Sequence, residues 1–140
     1  MNTEGDLRAL VDRAWEAQYA SPRDSHAWAR EALAAAEAGG DAPVRAWAQL
    51  TIGNYQLRYA SPAEAKASLT AAQGGFIALG DHRGEILTRN SLARARMMEG
   101  DPKGAYDMFR AILEEEAGSL SPFDRFYTLN GISGCCAALG

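Results

Sequence analysis

The chain is short of the residues that most often carry chemistry. Its only histidines are His26 and His82, and its only cysteines, Cys135 and Cys136, are neighbours. Adjacent cysteines rarely pair, and no CxxC spacing occurs, so a disulfide framework is not expected. HxxxH, HExxH, GxSxG and a phosphate-binding loop are all missing, which leaves no catalytic constellation. No apolar run approaches the roughly 18–20 residues that a membrane helix needs. An excess of positive charge is missing too. The formal net charge is −4, so no overall field draws in nucleic acid or an anionic membrane. The opening MNTEGDLRAL is acidic and amphipathic, unlike a cleaved secretory signal. The expectation is a reduced, cytoplasmic chain that is not an enzyme and needs no cofactor or metal, with no nucleic-acid or membrane partner.

Alanine, by contrast, far outnumbers valine, isoleucine and threonine. Alanine loses no side-chain entropy in a helix and β-branched residues do, so the composition favours an all-α fold. At 140 residues the chain is one domain, large enough to bury a core.

The order along the chain is periodic. YASP occurs at Tyr19–Pro22 and again at Tyr59–Pro62. Pro22, Pro62 and Pro102 stand forty residues apart, as do Ser25, Ala65 and Ala105, and Asn90 and Asn130. Repeats at 1–40, 41–80 and 81–120 follow, with a partial one at 121–140.

Each period reads as two helices. SPRD, SPAE and DPKG, beginning at Ser21, Ser61 and Asp101, place a Ser or Asp N-cap before a proline whose missing N–H costs nothing there. About twenty residues later GGDAP, LGDHR and SLSPFD supply the glycines and caps of a second turn. Seven helices are expected at 5–20, 22–38, 42–59, 62–79, 82–99, 102–117 and 122–139. In the third, Val44, Trp47, Ala48, Ile52, Tyr55 and Tyr59 form one stripe while Leu50 and Leu57 lie round from it, so neighbours should pack on both sides. Ala48, Gly53, Ala93 and Ser133 should let helices approach closely. Gly74–Gly75 should mark a bend or a close contact.

The stretch TIGNYQLRYASPAEAKASL, residues 51–69, resembles a tetratricopeptide repeat (TPR). The resemblance lies in Ile52, Gly53 and Asn54, the small Ala60 at the turn, and Glu64 and Ala65 opening the second helix. Leu92, Ala93, Gly100, Asp101, Ala105, Phe109 and Ile112 continue it, and LNGIS at Leu129–Ser133 begins another. The first repeat departs from the pattern at Asp12 and Arg13, and the period is forty instead of thirty-four. That longer form is similar to helical arrays in bacterial regulators, both those preceding diguanylate cyclase (GGDEF) domains and those of maltose-activator-like transcription regulators. The resemblance implies antiparallel helix pairs stacked into a right-handed superhelix.

It also implies a concave groove that holds a peptide or partner segment. Carried over, the groove positions are Trp47, Leu50, Asn54, Leu57 and Arg58, then Leu87, Asn90, Arg94, Met97 and Met98, then Tyr127 and Asn130. The asparagines offer donor and acceptor to an extended backbone, the arginines a carboxylate clamp, and Trp47 and the methionines apolar pockets. Other roles fit the same residues. Asn90 and Asn130 suit a structural ladder, Arg58 and Arg94 suit solvent, and Trp47 and the methionines suit a core. Arg89, Arg94 and Arg96 lie between Glu85 and Glu99, which argues against nucleic acid.

Two functional readings follow. One is a protein–protein interaction scaffold or sensor. The other is an N-terminal regulatory input domain of a multidomain bacterial signalling protein, either a diguanylate cyclase (GGDEF) protein or a transcription regulator, with self-association as one mode of action. The final GISGCCAALG is apolar and uncapped, whereas repeat arrays need polar ends. A longer protein, or a homodimer through helix 122–139, is therefore expected.

Overall fold

The computed structural model describes the backbone from residue 3 to residue 140 and side chains from residue 5 onward. Among the described residues there are seven helices and no strands. They are α1 (Thr3–Glu16), α2 (Pro22–Gly39), α3 (Ala42–Tyr59), α4 (Pro62–Leu79), α5 (His82–Met98), α6 (Pro102–Glu115) and α7 (Pro122–Leu139).

The turns form for local reasons. Asp41, Ser61, Asp81, Asp101 and Ser121 each accept from the backbone N–H three residues on, satisfying an orphan donor at the helix start. Ser21 is the exception, since its side chain makes no such bond. Gly40 and Gly80 close α2 and α4 at φ 72° and 67°, a left-handed conformation that costs glycine nothing.

One boundary differs from the position that the periodicity implies. The first helix was expected to run to residue 20, but it stops at Glu16 and residues 17–20 form a turn. There the Gln18 Nε2 donates to the Trp15 carbonyl at 3.0 Å. A side chain thus takes an acceptor that a continuing helix would use.

Consecutive helices pack along the whole chain, giving a stack of antiparallel helix pairs. In addition α1 packs on α3, α3 on α5, and α5 on α7. Among the described residues the even-numbered helices do not pack on one another. The odd layer is therefore the tighter one.

The third helix is buried on both sides, as its stripes imply. Val44 and Ala48 join Val11, Ala32 and Ala36 of the first pair. Leu50 and Leu57 join Leu69, Phe76 and Leu87 of the following helices. Close approach depends on glycine at specific points. A Cβ at Gly53 would lie 2.6 Å from Leu69 Cδ2, and one at Gly75 would lie 3.1 Å from the Ala46 Cβ. Gly75 is thus a helix contact, whereas Gly74 faces open space. Ser133, expected at such a contact, is exposed instead.

Candidate functional site

The odd helices line a groove, and its geometry starts from the early end of α1. Because the chain leaves the helix at Glu16, Gln18 and Tyr19 are carried over the groove. Tyr19 thereby lines the same chambers as Tyr127 of α7. Two chambers share a boundary here, formed by Gln18, Tyr19, Asn54 and Tyr127.

The larger chamber, about 410 Å³, is completed by Leu57, Arg58, Arg94, Met97 and Met98. The smaller, about 250 Å³, is completed by residues that include Trp15, Arg83, Leu87, Phe123 and Asp124. A wider but shallow recess of about 950 Å³ lies between the start of α1 and the α2–α3 turn. Its wall is mainly alanine, glycine and proline, and the Asp41 carboxylate there is engaged in capping α3. It brings together few groups able to recognise anything.

A polar ladder ties the groove floor together. The Asn54 Nδ2 donates to Gln18 Oε1 at 3.1 Å, and the Ser91 hydroxyl donates to Asn54 Oδ1 at 2.6 Å. One helix further on, the Thr128 hydroxyl donates to Asn90 Oδ1 at 3.0 Å. An amide side chain has two donors and two acceptor lone pairs, so Asn54 keeps one of each for a ligand.

The arginines are held by carbonyls rather than by carboxylates. Arg58 Nη2 donates to the Gln18 carbonyl at 2.7 Å, and its guanidinium lies 4.8 Å from the Tyr19 ring centre. Arg94 Nη2 donates to the Tyr127 carbonyl at 3.2 Å, with its guanidinium 4.1 Å from the Tyr127 ring centre. Arg94 Nε is buried and meets no acceptor among the described residues. Burial pushes the Tyr127 phenol up to about 12; the Arg94 charge opposes this and Tyr19 adds to it. Burial likewise raises the Cys135 thiol, which lies 3.7 Å from Met97 Sδ behind the larger chamber.

No protein-family model, no curated protein and no solved structure matches this chain. The site therefore stands on its own geometry.

Of the residues singled out in the sequence, Asn54, Leu57, Arg58, Arg94, Met97, Met98 and Tyr127 come together around the larger chamber, and Leu87 lines the smaller one. Four others lie elsewhere. Leu50 is wholly buried in the core formed with Leu69 and Phe76. Asn90 is wholly buried between α5 and α7, and its Nδ2 donates to the Ile86 carbonyl. Trp47 packs edge-on against Trp15 and Phe76, and its Nε1 donates to Asp81 Oδ2 at 3.2 Å. Asn130 is exposed and lines neither chamber.

Gln18 and Tyr19 were not anticipated at the groove. A signal for Gln18 was present, since Gln18, Arg58 and Met98 occupy the same position in successive periods. A first helix that ran to residue 20 would not carry Gln18 across the groove; the early stop at Glu16 does.

Proposed function

We propose that this chain is a tetratricopeptide-repeat-like interaction module that holds a segment of a partner protein in its odd-helix groove and performs no chemistry of its own. The observation that carries this reading is the larger chamber. Apolar Leu57, Met97 and Met98 converge there with a half-free amide at Asn54 and two oriented guanidiniums. Apolar walls with a few placed polar groups suit a bound segment, and methionine adapts to varied side chains.

The test begins with peptides selected from a random library on the wild-type chain. Their binding should be lost in Met98→Glu, which puts a carboxylate at the chamber wall. It should persist in Ile77→Glu, at an exposed position on α4 away from the groove. Peptides that bind Met98→Glu as well as they bind the wild type would sink the groove assignment.

A second reading, a regulatory domain that acts by self-association, draws support from α7. Phe126, Leu129 and Leu139 are exposed there, Phe126 to 66%, and exposed apolar clusters favour association. Phe126→Ser should then shift a concentration-dependent dimer to monomer in sedimentation. A wild-type chain that stays monomeric at every concentration would remove this reading.

A further inference from the structure

The two chambers differ in charge. The larger contains Arg58 and Arg94 and no carboxylate. The smaller contains Glu16 and Asp124 against one cation, Arg83. Its wall is also the aromatic one, built from Trp15, Tyr19, Phe123 and Tyr127.

Asp124 is the unusual member. Its side chain is 5% exposed, and its backbone N–H is engaged by the Ser121 cap. Arg83 Nε approaches Oδ2 at 3.7 Å, which is beyond hydrogen-bonding distance. Oδ1 is closed off from bulk water and meets no donor among the described residues. A buried carboxylate short of donors is costly to keep, and with Oδ1 closed off it is Oδ2, facing Arg83, that an incoming N–H can reach. The Arg83 side chain is 57% exposed and can swing outward, so an incoming cation can replace it.

We propose that the smaller chamber binds an alkylammonium group, supplied by a lysine side chain of the bound segment, with Asp124 as the acceptor. The aromatic wall receives the methylene stem and faces the charge with ring electrons. The inference rests on the groove reading above and adds to it a polarity, in which the lysine enters beside α7 and the remainder of the segment lies along Leu57 and Met98.

Calorimetric titration of the full chain tests it with three probes. These are a capped glycine peptide with one central lysine, the same peptide with norleucine, and n-pentylammonium. The lysine peptide should bind saturably and at least tenfold more tightly than the norleucine peptide. Asp124→Asn, checked for an intact helical spectrum, should weaken it at least tenfold. Phe123→Ala, at a position 66% exposed, should weaken it also, and it decides the matter if Asp124→Asn fails to fold. Binding of n-pentylammonium alone, dependent on Asp124, would keep the ligand class but make a free amine the source and overturn the lysine assignment. Equal binding of lysine and norleucine peptides, or no binding by any probe, would overturn the proposal. Library peptides that still depend on Met98 would then show that the groove reading survives.

Discussion

Arg58 and Gln18 occupy the same position in successive forty-residue periods, and the Arg58 guanidinium donates to the Gln18 backbone carbonyl at 2.7 Å. One period thus reads the backbone of the one before it, at the point where α1 ends early and the chain turns across the groove. Arg58→Met keeps most of the stem and removes the donor. It should cost about 1 kcal/mol, the usual net value of one hydrogen bond, and should speed amide exchange at residues 17–21. An unchanged exchange rate there would mean that the turn is held by its own bonds alone.

The ladder predicts a contrast between two asparagines in the same register. Asn90 is wholly buried, bonding Thr128 and the Ile86 carbonyl, while Asn130 is exposed. Asn90→Ala should cost about 2–3 kcal/mol through lost bonds and a cavity. Asn130→Ala should stay within about 0.5 kcal/mol. Urea melts of the two variants decide it, and similar midpoints would show that the ladder bears no load.

Two helix glycines should respond oppositely to alanine. A Cβ at Gly131 would collide with the ring of the wholly buried Phe109. Such overpacking costs about 1–3 kcal/mol, more than the propensity gain of about 1 kcal/mol. At Gly74 nothing lies within 4 Å, so Gly74→Ala should raise the melting temperature. A stabilised Gly131→Ala would show that Phe109 can move aside.

The Tyr127 phenol gives a pH signature. Its folded value lies at about 12 against an ordinary 10.0, so the folded state disfavours the phenolate. Stability from this group is complete below pH 10 and falls as pH rises from there toward 12. In a phenolate absorbance titration one tyrosine should ionise late, and Tyr127→Phe should remove that late component. A titration with all tyrosines ionising together would contradict the burial of this ring.

The sites of the helices and their forty-residue spacing were legible because caps, prolines and apolar stripes act within a few residues of chain. Asp81 caps α5 whatever surrounds it, and Gly80 turns left-handed because it lacks a Cβ. The groove was legible in part. Residues one or two turns apart on an odd helix share a face, which brought Asn54, Leu57 and Arg58 together, and likewise Arg94, Met97 and Met98. Depth was not legible. Leu50 lies on nearly the same face as Leu57, yet Leu69 and Phe76 close over it and it never meets the groove.

What the sequence by itself determined is therefore the all-α repeat, its two-helix period and the turns between. All of these follow from backbone capping and side-chain periodicity. The tertiary structure alone decided that Asn90 is buried while Asn130 is exposed, that Gln18 and Tyr19 bound the groove, and that Asp124 stands in its wall with one oxygen unmatched. The reason is physical. Burial and partnership depend on which distant segment packs against a position, and residues identical in type and register acquire different roles when their neighbours differ.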